Sequence, residues 1–279
     1  VLNEDFRRLN ADTVNTPQAF QSVAADCQIE FCLANRDPSG ITTNGITRTP
    51  TTQTSFSLND DVKFTSSGGH DAWNTSKYLN IWVCDISSGT LGYAQFPGGN
   101  ASSDGVVCDY QYFGTIGTAT PPYNKGRTTT HEVGHWLNLL HIWGDSNCGN
   151  DFCNDTPEHS NSNNGCPSYP STSNCSGNGP NGDMFMNYMD YTNDNCMNLF
   201  TNDQKNRMIA TLNTFRASLL NSDGCYNSDY GCTDSTAYNY SNLAIVNDGS
   251  CCYIAGCTDP TAFNYNSNAC FDDASCVAS

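Results

Sequence analysis

Two histidines four residues apart, followed by a third six residues later, set the tightest constraint on how this chain can fold. The run is His131-Glu132-Val133-Gly134-His135-Trp136-Leu137-Asn138-Leu139-Leu140-His141. Residues four apart share one face of a helix, so His131 and His135 can offer imidazole nitrogens to one point. His141 cannot join them if the helix continues, so the helix must stop after about Leu137 and the chain must turn back. Such a turn needs positive φ, where glycine is the usual occupant, and this chain has Asn138. Asparagine is the non-glycine residue that best tolerates the left-handed region, at a cost of about 1 kcal/mol.

The chain has five histidines and four glutamates, and this run takes three of the first and one of the second. Glu132 projects from the adjoining part of the helix face, where it can reach a metal-bound water without ligating the metal. Three neutral nitrogen donors, a free coordination position and a carboxylate base make the plan of a catalytic zinc site.

Composition sets the surroundings. A chain of 279 residues can bury a core and make one or two domains. No apolar stretch approaches the roughly 18 residues needed to cross a bilayer. Sixteen cysteines without a CxxC…CxxC array point to disulfides and an oxidising compartment. Val1-Leu2-Asn3-Glu4-Asp5 is polar and is no signal peptide, so the expectation is a mature fragment of a secreted protein, with signal and pro-segment absent from it. The net charge of −17 comes almost wholly from aspartate, 24 against 4 glutamates. Aspartate in loops rich in Asn, Gly and Ser signals calcium coordination or turn chemistry. The same charge argues against nucleic-acid binding and anionic membrane surfaces.

The first 120 residues read as mixed α/β. Thr16-Pro17-Gln18-Ala19-Phe20 predicts a capped helix within 15–25. Strands are expected at 28–33, 78–84 and 105–110, with 92–98 an edge strand or a loop above a cleft. Gly126-Arg127-Thr128-Thr129-Thr130 leads into the histidine helix with a threonine as cap. Residues 144–183 show no periodicity and need cross-links or ions, for which Asp145, Asp151, Asp155 and Thr156 offer hard oxygen ligands. Thr201 with Gln204 forms a capping box for a closing helix running to about Leu220.

The run 131–141, with Asn187-Tyr188-Met189-Asp190-Tyr191 and Cys196-Met197, resembles the pappalysin-type metzincin zinc proteases. The match is specific over about 126–208 and looser before, at 1–8 and 92–97. It implies an α+β metzincin fold: a twisted mixed sheet, an active-site helix and an irregular C-terminal subdomain. It further implies zinc ligation by His131, His135 and His141, Glu132 as base, Met189 as the Met-turn beneath the metal, and Tyr191 as transition-state stabiliser. Asp194 matches a position lining the S1′ pocket that selects Arg or Lys at P1′. Disulfides Cys148–Cys175 and Cys166–Cys196, and calcium ligation by Asp151 and Thr156, are also implied.

The end of the chain is a different object. Residues 231–251 and 256–276 are two copies of a 21-residue unit, offset by 25, with twelve identities. Each copy begins and ends near cysteine, so Cys232–Cys251 and Cys257–Cys276 are the simple pairings, and Cys252–Cys270 can staple the units. Units this small need disulfides or ions, and Asp234, Asp248, Asp259, Asp272 and Asp273 make calcium plausible. They resemble Asp-rich repeats following secreted bacterial enzymes, which implies spacers or attachment modules that contact a cell surface or matrix. The expected division is a catalytic domain over 1–223, its upper part to about 137 and its lower part beyond, then the repeats over 224–279. Cys27, Cys32, Cys84, Cys108, Cys153 and Cys225 stay unassigned, with Cys27–Cys108 conceivable between neighbouring strands. The sequence sets no oligomeric state.

The reading that follows is a secreted zinc endopeptidase acting on protein or peptide substrates through a Glu-activated zinc-bound water. Two alternatives compete with it. A binding or adhesion protein on a metzincin scaffold would be expected to have lost Glu132 or a histidine, and none is lost. A zinc amidase or esterase acting on a non-peptide substrate would share the same motif.

Overall fold

Three short strands form the main sheet of the computed structural model: β1, Ile81–Cys84; β2, Gly92–Ala94; and β3, Val106–Asp109. β3 lies in the centre, with β1 parallel to it (Ile81 opposite Val106) and β2 antiparallel on its other side (Gly92 opposite Cys108). All four residues of β3 are buried, as a central strand covered on both faces must be. The structure describes every residue except 88, 226–229, 242–243, 245, 248 and 278–279. It divides into two compact units, Val1–Gly224 and Cys225–Ser279.

In the first unit the helices are α1, Leu2–Phe6; α2, Gln18–Gln21; α3, Arg127–Trp136; and α4, Asn202–Thr214. Every residue of α3 is buried, although its first half is polar. Val133, Trp136 and Leu137 pack against Val106 and Cys108 of β3 and against Tyr188, Met189 and Phe200. Two groups of the polar half find partners: Thr130 Oγ1 donates to Asp5 at 2.6 Å, and Arg127 pairs with Asp5 at 2.8 Å and Asp12 at 3.1 Å, while Arg127 Nε is buried without a partner. Buried polar groups cost little only when paired in this way.

Four local expectations give way to tertiary partners. The segment 28–33 forms no strand: Gln28 takes φ 57°, and the Asn3 side chain, not a neighbouring strand, brackets the main chain of Phe31 at 2.7 and 2.9 Å. Thr16 caps nothing, because its hydroxyl donates to Asn198 at 2.8 Å, and α2 is a single turn. No threonine caps α3, whose N-cap is Gly126 at φ 79°. The closing helix has its capping box but stops at Thr214, since Arg216 is drawn to Asp104 and to the Trp136 carbonyl, with Ala217–Asn221 a separate 3-10 turn.

The long irregular stretch is pinned by disulfides Cys148–Cys175 and Cys166–Cys196. Between them Asn164–Gly165 (β4) pairs in parallel with Tyr191–Thr192 (β5). Cys27 and Cys108 are both free thiols, which removes the conceived bridge between them; Cys84 and Cys153 are free as well. Cys108 instead faces Thr129 of α3 at 3.6 Å, and burial pushes the Cys27 thiol up to about 12. Cys32 and Cys225 are disulfide-bonded.

The second unit is held by Cys232–Cys251, Cys252–Cys270 and Cys257–Cys276. Each repeat carries one two-residue parallel pairing, Tyr230–Gly231 (β6) with Val246–Asn247 (β7), and Ala255–Gly256 (β8) with Phe271–Asp272 (β9). The repeats share their opening turn: Asp234 accepts from Thr236 N–H at 2.9 Å and Asp259 from Thr261 N–H at 2.8 Å. Asp272 and Asp273 likewise accept from the main chain two residues on, so these aspartates serve turns. Asp248 lies outside the described residues.

Candidate metal centre and active site

Helix α3 ends at Trp136 with Leu137 as its C-cap, and the next residue reverses the chain. Asn138 has φ 75°; its N–H bonds the His135 carbonyl at 2.8 Å, and Leu139 N–H bonds the Gly134 carbonyl at 2.9 Å. That pair of bonds is a Schellman motif, here with asparagine in the left-handed place. Arg207 of α4 holds the Asn138 carbonyl at 2.5 Å, and Ile142 N–H bonds the Met189 carbonyl at 3.1 Å. The turn and these tethers return His141 to the two helical histidines.

The three Nε2 atoms converge. That of His135 lies 3.0 Å from His131 and 3.1 Å from His141. His131 Nδ1 donates to the Tyr188 carbonyl at 2.7 Å and His135 Nδ1 to the Leu139 carbonyl at 2.8 Å, while His141 Nδ1 meets Asp145. With the Nδ1 protons engaged, each neutral ring turns an unprotonated Nε2 to the common centre. Burial holds all three below the ordinary histidine range; neighbouring imidazoles add to this for His131 and for His135, which lies at about 4, while Asp145 partly offsets it for His141. Lone pairs facing one another so closely repel unless a cation lies among them. Tetrahedral zinc with nitrogen at about 2.0–2.1 Å sets nitrogen pairs about 3.4 Å apart, close to what is seen. Among the described residues this is the one cluster of three or more such donors.

Glu132 sits beside the cluster, buried, and burial alone pushes its carboxyl up to about 8. A cation at the cluster would favour the ionised form. Gly92 of β2 makes its room: a Cβ there would come within 2.9 Å of Glu132 Cγ and 3.0 Å of Oε1. Gly134 does the same for Met189, whose Sδ a Cβ would meet at 2.5 Å. Met189 is fully buried under α3, in a turn that the Asn187 side chain fixes by accepting its N–H at 2.9 Å. Tyr191 is half exposed, with its ring 4.8 Å from those of His141 and Trp143 and 5.6 Å from that of His131. Trp143 stacks flat on His141 at 4.3 Å.

Asp194 meets the start of α3 from a distant part of the chain. It is buried, and its Oδ2 accepts the N–H groups of Lys125 at 2.7 Å and Arg127 at 3.3 Å, where α3 begins. A distant carboxylate thus does the capping expected of a threonine. Asp151 and Thr156 lie apart from the histidines: Thr156 Oγ1 is 2.9 Å from both Asp151 oxygens and 2.8 Å from the Cys153 carbonyl. Asp145, one of the expected oxygen ligands, is instead the partner of His141. Gly92, Asp5, Arg127 and Asp145 carried no local signal of their roles, which arise from residues far apart in sequence or from a single turn.

Comparison with known proteins gives the family. The profile of the peptidase M43 family, described as pregnancy-associated plasma protein-A, matches residues 63–213. An extracellular metalloprotease of Arthroderma benhamiae is 42% identical over 149 residues, 51% of this chain and 54% of the relative. One from Arthroderma otae is 37% identical over 196 residues, 68% of this chain and 70% of the relative. The chain spans about half the length of the first of these relatives. Among solved structures, mature mirolysin of Tannerella forsythia in complex with a cleaved peptide superposes with a TM-score of 0.76 at 55% identity, covering 78% of this chain and 84% of that one. Among the described residues no helix is long and apolar enough to cross a membrane. The chain has the metzincin fold and belongs to the pappalysin-type M43 peptidase family.

Proposed function

We propose that the protein is a secreted zinc-dependent endopeptidase that hydrolyses peptide bonds with Glu132 as general base. One observation carries the reading: three unprotonated imidazole nitrogens meet at one point with a buried carboxylate beside them. Zinc bound there supplies Lewis acidity, which lowers the pKa of water toward neutrality and polarises the scissile carbonyl. Glu132 takes a proton from the attacking water as its oxygen bonds to the carbonyl carbon. It then passes that proton to the amine nitrogen as the C–N bond breaks, and so ends as the carboxylate it began. The Tyr191 hydroxyl, on a ring packed against His141 and Trp143, donates to the developing oxyanion.

Asp194 gives the preference for Arg or Lys at P1′. Its Oδ2 accepts the main-chain N–H groups at the start of α3, and the carboxylate is buried, so it would act on the basic side chain as a buried charge. Calcium is held by Asp151 and Thr156, with Asp155 adjoining. A single hydroxyl proton there serves three short oxygen contacts, and Asp155 Oδ1 is buried without a partner, both of which a hard cation relieves. Secretion is supported by the extracellular relatives and by the disulfides.

The test is hydrolysis of casein or gelatin by the wild type, by Glu132→Ala and by a chelator-treated sample. The reading expects cleavage by the first alone; equal cleavage by all three removes it. A peptide-library digest should show Arg and Lys at P1′, and mainly apolar residues there would remove the role of Asp194.

A further inference from the structure

His159 lies outside the metal cluster, and none of its surface reaches solvent. Its Nε2 accepts the N–H of Met184 at 2.9 Å. A nitrogen that accepts carries no proton, so the neutral ring must hold its proton on Nδ1. Nδ1 makes no hydrogen bond and stands 3.7 Å from Oδ2 of Asp190, which is also fully buried.

Asp190 falls between Met189 and Tyr191 in the chain. Its Oδ1 accepts the Tyr191 N–H at 2.8 Å and the Asn163 N–H at 2.7 Å, and its Oδ2 accepts from the Asn163 side chain at 3.0 Å. The chain of groups therefore starts at Met184 N–H, passes through the imidazole and the carboxylate, and ends at Tyr191 N–H. It joins the two ends of the segment that carries Met189. A buried donor facing a buried carboxylate is costly to leave unpaired, and a small shift closes the remaining gap.

We propose that His159 is a positioning residue for peptide hydrolysis, acting through the Asp190 carboxylate to hold Tyr191 beside the metal cluster. The inference rests on the transition-state role assigned to Tyr191 above. The tyrosine ring has aromatic neighbours on one side and is otherwise half exposed, so its main chain must fix its place. Pairing of Tyr191–Thr192 with Asn164–Gly165 holds one side of that main chain, and the Asp190–His159 pair holds the turn before it.

Two substitutions separate the two ends of the imidazole. His159→Asn keeps a donor near the Nδ1 position, facing Asp190, and His159→Gln keeps an acceptor for Met184 N–H. The experiment measures kcat, KM and bound zinc for both, each alone and combined with Tyr191→Phe. The proposal expects His159→Asn to stay within about twofold of wild-type kcat, and His159→Gln to lose about tenfold with KM and zinc content unchanged. In the Tyr191→Phe background His159→Gln should cost nothing further, since the two act as one unit. Equal losses for Asn and Gln, a full additional loss on top of Tyr191→Phe, or a fall in zinc content would overturn it. If Tyr191→Phe alone keeps wild-type kcat, the tyrosine reading fails first and takes this route with it.

Discussion

The two units of this chain both carry disulfides but rest on them to very different degrees. In Val1–Gly224 the site helix is buried against one apolar cluster, and polar groups on it find partners such as Asp5 and Asp194. In Cys225–Ser279 the buried apolar side chains among the described residues are Cys232, Cys252, Cys257 and Ala237, so the core is mostly sulfur. A large unit can hold an exact arrangement of donors by packing; a unit of repeats this short depends on covalent closure.

That contrast is broken most directly by reduction. Each repeat is closed by a disulfide of sequence separation 19, worth about 3 kcal/mol as loop closure. Reductant should therefore unfold the repeats while the site helix persists, and a chelator should leave the repeats protected. Hydrogen exchange read separately over 127–136 and 231–276 checks this. Repeats that survive reduction would deny the contrast.

The next largest effect belongs to packing. Gly134→Ala places a methyl within 2.5 Å of Met189 Sδ, and should cost about 1–3 kcal/mol of stability in the first unit. The thermal midpoint of the first unit should then fall while that of the repeats stays where it is. An unchanged midpoint would mean that the Met189 turn is free to move away.

A smaller effect depends on pH. Burial raises the Glu132 carboxyl from 4.5 to about 8 in metal-free protein. The folded state therefore holds a proton that the unfolded state has lost, and this contribution is present below 4.5 and disappears as pH climbs to 8. Metal-free Glu132→Gln should gain stability over wild type across that window, and added zinc should shrink the difference. A difference that does not change with pH would contradict the burial of the carboxylate. The smallest effect is at the turn: Asn138→Gly should stabilise by up to about 1 kcal/mol, and Asn138→Ala should destabilise by about 1 kcal/mol.

What could be read from the sequence was what helical spacing or a single turn determines. His131 and His135 share a helix face, so their meeting follows from periodicity, and the need to bring in His141 foretold both the stop at Leu137 and the positive φ of Asn138. The closing helix announced its capping box in Thr201 and Gln204. Other features depend on partners distant in sequence. Residues 28–33 look like a strand, but Asn3 takes their main-chain bonds; Thr16 looks like a cap, but Asn198 takes its hydroxyl. The start of α3 is completed by Asp194, 67 residues beyond Arg127, and nothing in the local pattern points there. Gly92 reads as a strand residue until Glu132 is placed against it.

The central claim is that three histidines hold the metal and Glu132 performs the proton transfer, two separable tasks on one helix and turn. Zinc content and casein turnover, measured together on Glu132→Ala and His141→Ala, test it most directly. The account predicts that Glu132→Ala keeps one zinc per chain and loses at least about a thousandfold in kcat, while His141→Ala loses the zinc itself. Turnover by Glu132→Ala near the wild-type rate, or undiminished zinc affinity in His141→Ala, would contradict it.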